Sequence, residues 1–192
     1  MLALALLPQH ARAALPTIAL QPLGTLDPRV ARAVCARVRS TFAAEVVLLP
    51  AKPLPSASFY RPRMRYRGER IIDWLEATKP REVTKILGLM SSDLSVTKGR
   101  VYDWGVMGVA GLSRAPGVVS THRLGGRSVS SELMTKRACQ VSVHELGHTF
   151  GLPHCSTPGC IMNAAEGGIA AVDHSSGEFC PHCRALLGEL LR

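Results

Sequence analysis

His144-Glu145-Leu146-Gly147-His148-Thr149-Phe150-Gly151-Leu152-Pro153-His154 is the stretch from which the rest of this 192-residue chain can be read. On a helix of 3.6 residues per turn, positions four apart lie one above the other, so His144 and His148 share a face and Glu145 projects beside them. A third histidine six residues further on cannot reach that face unless the chain turns back. Gly151 permits the turn, because a glycine just past a helix end readily adopts a left-handed conformation. Pro153 then bars any resumption of helix and directs His154 toward the other two imidazoles. Three neutral imidazoles on one zinc leave the fourth tetrahedral position open to water, as in catalytic rather than closed structural sites. Water held there has its pKa lowered to about 7, and Glu145 is placed to take its proton during attack on a carbonyl and pass it to a leaving amine. The bland alternative is an ordinary helix with solvated or core histidines.

The residues that follow add a second cluster. Cys155 comes directly after His154, then Cys160, Met162, Cys180 and Cys183, spaced Cys-x4-Cys and Cys-x2-Cys. Four thiolates at such spacing suit a closed tetrahedral zinc; two disulfides in an oxidising compartment are the competing reading. The last pair opens a helix, with Pro181 in its first turn and Leu186, Leu187, Leu190 and Leu191 as an apolar stripe. A zinc bound by Cys155 would also help to hold the neighbouring His154.

The whole run, His-Glu-x-x-His-x-x-Gly-x-x-His-Cys-x4-Cys-x-Met-x17-Cys-x2-Cys, resembles the signature of the archaemetzincins, a branch of the metzincin zinc metallopeptidases. The resemblance covers Val141 to Cys183 closely and Tyr102 to Leu124 more loosely. It implies an α/β fold (α+β in some schemes) in which helices back a twisted mixed sheet, with a small zinc-clipped C-terminal lobe. It implies two zinc ions. His144, His148 and His154 would hold a catalytic zinc, Glu145 would be the general base, and Cys155, Cys160, Cys180 and Cys183 would hold a structural zinc. Met162 would lie in a Met-turn beneath the catalytic metal, although a plain core methionine fits the position equally well. It further implies that an edge strand, here Gly105 to Leu112 with Met107, Gly108 and Val109 nearest the centre, pairs with an extended peptide or protein substrate. Asn163 stands after Met162, so no tyrosine follows the Met-turn as a further ligand, and some relatives are described as aminopeptidases. Glu166, Asp173 and Glu178 are the carboxylates near enough in sequence to hold a substrate amine.

Length and a 46% hydrophobic composition suit one domain, residues 1–192, in two lobes: 1–151 with the active-site helix and 152–192 with the structural zinc and Met-turn. Met1 to Leu7 is apolar but too short to span a membrane and has no basic residue ahead of it; Ala11-Arg12-Ala13 leaves export as the minor reading. Cys35 and Cys139 stand isolated, as buried thiols do, which favours a reducing cytoplasm; no other stretch approaches a transmembrane helix, so no membrane partner is expected, and the chain is expected to be a monomer. The net charge of +9 is uneven: 21 of the 23 Lys and Arg precede His144, giving +12 there and −3 beyond it. The densest basic segment, Arg61 to Arg70, alternates around Met64 and Tyr66 like a solvated edge strand or loop. No nucleic-acid motif accompanies it, so nucleic acid is not an expected partner, and Arg70 facing an acidic substrate is a third reading. A non-enzymatic zinc module binding an acidic partner, and a hydrolase of non-peptide amides, are the rival functions.

Along the chain, the hydrophobic pattern predicts strands at Thr17 to Leu23, Glu45 to Leu49, Val83 to Met90, Gly105 to Leu112 and Val118 to His122. It predicts helices at Pro28 to Thr41, Gly68 to Thr78 and Ser130 to Phe150. Pro50 to Pro62 reads as a loop, Arg114 to Gly117 as a turn, and the stretch from Ala164 to Glu178 as irregular. His122 is placed near the cleft rim. His174 and His182 are read as surface histidines.

Overall fold

The computed structural model describes residues 15–126, 128–165 and 168–191; Met1 to Leu7, Ala11-Arg12-Ala13 and Glu166 lie outside them. Five strands form the main sheet in the order β2-β1-β5-β9-β8. These are β1 (Thr17–Leu23), β2 (Glu45–Leu48), β5 (Lys85–Met90), β9 (Pro116–Ser120) and β8 (Gly108–Ala110). The first four run parallel, and β8 closes the edge antiparallel to β9. The parallel strands β1, β5 and β9 are buried along nearly their whole length, which is why they read as continuous apolar runs rather than as alternation.

Helix α1 (Pro28–Thr41) begins at Asp27, whose carboxylate accepts the Arg29 N–H at 2.8 Å, with Pro28 in its first turn. Val30, Val34 and Val38, four apart, form its buried stripe. It packs beside α3 (Ser131–Phe150) on one face of the sheet, where Leu20, Leu87, Val119 and Leu146 complete the core. Helix α2 (Gly68–Thr78) covers the other face with Ile71, Ile72 and Leu75 against Ala19, Leu23 and Met90. The main sheet is therefore sandwiched between helices, as expected.

A second sheet was not foreseen. β3 (Phe59–Tyr60), β4 (Arg65–Arg67), β6 (Leu94–Lys98) and β7 (Val101–Val106) form it in the order β3-β4-β6-β7. The expected strand Gly105 to Leu112 is split: Gly105 and Val106 end β7 at the edge of this sheet, and after Met107 the chain enters β8 at the edge of the main one. Pro116 and Gly117 belong to β9 rather than to a turn. The turn lies earlier, where the Arg114 N–H donates to the Gly111 carbonyl at 3.1 Å and Ser113 takes a positive φ of 60°. A proline is tolerated because it opens the strand. The stretch read as a loop between Pro50 and Pro62 carries β3 and two 3-10 turns, Ser56–Ser58 and Arg61–Arg63, and the stretch read as irregular carries a short helix, α4 (Ile169–His174). The last helix, α5 (Pro181–Leu190), starts as expected; of its leucine stripe Leu187 is buried and Leu190 is exposed.

The basic segment is not a solvated strand. Met64 is exposed in a left-handed turn, and β4 lies inside the second sheet, between β3 and β6. Arg67 is buried: its guanidinium donates to the Tyr102 carbonyl, to Thr97 Oγ1 at 2.7 Å and to Glu69 Oε1 at 3.0 Å. Arg65 bridges Asp93 at 3.0 Å and Asp103 at 3.2 Å, and Arg123 holds Asp93 from the other side at 2.8 Å. Arg70 donates to the Ala57 carbonyl. Removing one partner from such an enclosed network leaves charge uncompensated. Arg67→Met should therefore lower the unfolding free energy by about 3 kcal/mol or more in urea titrations, whereas Arg184→Ala, which breaks an exposed pair with Glu178, should cost less than about 1 kcal/mol.

Candidate metal centres

Helix α3 ends on the residue that the sequence singled out. Gly151 has φ of +105°, and the Leu152 N–H reaches back to the Gly147 carbonyl at 3.0 Å, the six-to-one bond of a Schellman motif. The chain reverses there, and the nitrogens of His144, His148 and His154 that could serve as ligands all lie within 4.8 Å of one another. His144 Nδ1 is 2.7 Å from the Ile161 carbonyl and His148 Nδ1 is 2.7 Å from the Leu152 carbonyl. Each carbonyl accepts the Nδ1–H, which leaves the Nε2 lone pairs pointing at each other, 3.0 Å apart. Burial, reinforced by the neighbouring imidazoles, pushes His144 down to about 4, and burial likewise lowers His148. Both rings are thus neutral and ready to coordinate near pH 7.

Two donors on a tetrahedral zinc with bonds near 2.0–2.1 Å stand about 3.3 Å apart, close to the observed Nε2 separation. The cysteines pass the same test. Cys155, Cys160, Cys180 and Cys183 place their sulfurs within 4.8 Å of one another, and Cys155 and Cys180 are 3.8 Å apart. With Zn–S bonds of about 2.3 Å the expected edge is about 3.8 Å, far from the roughly 2.05 Å of a disulfide. Cys180 caps α5, and the Cys183 backbone N–H holds its thiol down to about 6, favouring the thiolate that a metal needs. His182, between the last two cysteines, is exposed and takes no part in the cluster.

Glu145 is buried beside the imidazoles, directly under β8. A Cβ built on Gly108 would come within 2.7 Å of Glu145 Oε1, so only glycine lets the edge strand cross this close. The same holds beneath: a Cβ on Gly147 would meet Met162 Sδ at 2.6 Å, so the fully buried Met162 packs against the helix backbone under the site. The adjoining cleft is bounded by β6 and β7 above and by α3, Asn163, Ala165 and Val172 below. Sequence reasoning noted Asn163 only for not being a tyrosine and gave it no role; its side-chain amide donates to the Cys155 carbonyl at 2.7 Å and the Thr157 carbonyl at 2.8 Å, fixing the loop after His154. It passed over Gln140, which lines the cleft and donates to the Ser175 carbonyl. Neither has a sequence signal beyond its nearness to the motif. Of the three candidate amine acceptors, the two within the described residues are committed elsewhere: Asp173 to Arg137 at 2.7 Å, and Glu178 to Arg37 and Arg184. His122 and His174 are exposed and stand outside both clusters.

A helix-borne histidine pair, a turn-borne third histidine and a tetrathiol clip joined by one short loop narrow the relationship to a single family. The chain belongs to peptidase family M54. The family model matches residues 48–189. By that family it is a zinc metallopeptidase with a peptide substrate. It is 34% identical to an archaemetzincin of Halobacterium salinarum over 85% of this chain and 94% of that one. It is 36% identical to an archaemetzincin of Methanopyrus kandleri over 72% and 75%. Among solved structures, the Methanopyrus kandleri archaemetzincin matches with a TM-score of 0.79 and 29% identity, covering 95% of this chain and 99% of that one. The Archaeoglobus fulgidus archaemetzincin, complexed with malonate, matches with a TM-score of 0.74 and 30% identity over 88% and 98%. Among the described residues no helix is long and apolar enough to cross a membrane.

Burial also sets a pH signature. Enclosure pushes the Glu145 carboxyl up from its usual 4.5 to about 8. In protein whose three histidines alone are stripped of metal, the cysteine cluster staying loaded, the folded chain would keep a proton that the unfolded chain releases near 4.5, so this group's contribution to stability falls as pH rises toward 8. The difference between wild type and Glu145→Gln separates this group from the others that titrate in the same range. That difference in unfolding free energy should shift against wild type by about 2 kcal/mol between pH 6.5 and 8; a constant difference would contradict the enclosure of Glu145.

Proposed function

We propose that this chain hydrolyses peptide bonds with Glu145 as the general base, His144, His148 and His154 as ligands of a catalytic zinc, and Cys155, Cys160, Cys180 and Cys183 as ligands of a second, structural one. The observation that carries the reading is the convergence of three imidazoles beside one enclosed carboxyl on the wall of a cleft. Zinc bound by the imidazoles supplies a Lewis acid for the substrate carbonyl and makes water a nucleophile near pH 7, while its charge favours the ionised form of Glu145. Glu145 takes the proton of the attacking water and delivers it to the departing amine. A site of purely structural purpose has no use for a carboxyl so placed.

The substrate backbone is held by β8. The Ser120 N–H donates to the Met107 carbonyl at 2.8 Å, and Gly108, Val109 and Ala110 stand opposite Val119, Val118 and Gly117. Bonded and non-bonded pairs alternate in an antiparallel ladder, so Met107 and Val109 turn their polar groups toward β9 while Gly108 and Ala110 turn theirs outward to an incoming strand. The sequence reading, centred on Met107, Gly108 and Val109, is thereby refined to main-chain groups on Gly108 and Ala110. Met162 supports the site by packing and needs no bond to the metal.

Glu145→Gln should retain its zinc and lose at least about a hundredfold in kcat/KM on a mixed peptide library, the usual scale of a lost general base; undiminished turnover would refute the assignment. Cys180→Ser should melt far below wild type in calorimetry, because a structural zinc contributes on the order of 10 kcal/mol in small zinc modules. An unshifted melting temperature would argue against a structural metal.

A further inference from the structure

The cleft beside Glu145 carries a charge asymmetry that hydrolysis does not use. Much of its lining is apolar, with Val96, Trp104, Val106 and Val172 contributing. Its volume of about 200 Å³ exceeds the roughly 150 Å³ of a cavity that admits benzene, so it accepts a substrate side chain. Apart from the histidines, the acidic and basic side chains that line it among the described residues are Glu145 and Lys98. Lys98 ends β6, exposed, with its ammonium 5.0 Å from the centre of the Trp104 ring. It makes no ion pair among the described residues. The aromatic face steadies the ammonium without neutralising it.

Other carboxylates among the described residues, on the second sheet and the segments that flank the cleft, are already paired. Asp93 is held by Arg65 and Arg123, Asp103 by Arg63 and Arg65, Glu69 by Arg67, and Asp173 by Arg137. Glu145 is engaged in the chemistry. Among the described residues the cleft therefore offers a substrate ammonium no counter-ion, and offers a substrate carboxylate one. The 21 Lys and Arg that precede His144 act in the same sense at long range, drawing anionic peptides toward the chain.

We propose that the cleft selects peptides bearing a carboxylate close to the scissile bond, read by Lys98 seated on Trp104. This rests on the peptide-hydrolase reading of the same cleft. Two sources present the same chemistry, an aspartate or glutamate side chain and the peptide's own C-terminal carboxylate.

The test measures binding in zinc-loaded Glu145→Gln protein, by anisotropy of octapeptides that carry one common dye. One arm walks a single Glu through an otherwise neutral, C-terminally amidated sequence; another leaves the C-terminus free; controls carry Gln or Lys with an amidated end. At least one carboxylate arm should bind about tenfold tighter than the Gln control, the scale of one charge-assisted contact, and the arm that does so identifies the source. Adding Lys98→Gln should bring that ratio close to one, and Lys98→Glu should favour the Lys peptide. Equal binding of carboxylate and neutral peptides, no measurable binding of either, or a ratio that survives Lys98→Gln would overturn the proposal. The two readings fail separately. A wild-type enzyme with this preference in binding but no hydrolysis would sink the role of Glu145 and leave that of Lys98, whereas indiscriminate hydrolysis of every peptide would do the reverse.

Discussion

Three imidazole nitrogens within 4.8 Å of one another, two of them on rings withdrawn from water, can share one metal only if each ring turns an unprotonated nitrogen toward it. The chain meets that condition with backbone carbonyls. Ile161 and Leu152 accept the Nδ1 protons of His144 and His148 and so aim the remaining lone pairs at one point. Both carbonyls belong to segments that exist only because the helix stops at Gly151 and the chain doubles back. Ile161 lies in the cysteine loop, between Cys160 and Met162, while Leu152 belongs to the turn itself. The two candidate metal centres are therefore interlocked. Cys155 follows His154, the Cys155 N–H donates to the Met162 carbonyl at 2.9 Å, and Asn163 ties down the carbonyls of Cys155 and Thr157.

The rest of the fold serves to present this cluster. Helix α3 is clamped between α1 and the sheet, and its end is fixed by Lys85, whose ammonium donates to the Thr149 carbonyl at 2.5 Å and lies over the Phe150 ring. A cation at a helix C-terminus opposes the dipole there. Above the site, the second sheet delivers the chain through Met107 into β8, and the arginine and aspartate network keeps that sheet in place. A Cβ on Gly105 would sit 2.2 Å from the Arg123 guanidinium. The network thus reaches under β7, three residues before the strand that crosses Glu145.

What could be read from sequence was whatever has local physics. The extent of α1 and α3, with Gly151 as terminator, follows from periodicity to within a residue; Ser130, read as the first helical residue, is the N-cap of α3. The two donor sets follow from ligand spacing. The second sheet was hidden because its strands are short and its interior is charged: Arg65 and Arg67 look like solvent-facing residues until Asp93 and Asp103, far along the chain, are brought to them. Pro116 and Gly117 looked like a turn because their local preference is for turns, yet pairing with β5 and β8 overrides it. The role of Asn163 depends on how its own loop folds back on Cys155 and Thr157, and that of the Lys98 and Trp104 pair on the pairing of β6 with β7, neither of which any spacing encodes.

The central claim is that one turn at Gly151 builds a three-imidazole metal centre next to, and separate from, a tetrathiolate one. The most direct measurement is zinc stoichiometry by plasma mass spectrometry on protein purified without chelators, for the wild-type chain and for His148→Ala. The account predicts two zinc ions per chain in the first and one in the second. Equal zinc content in both proteins would contradict it.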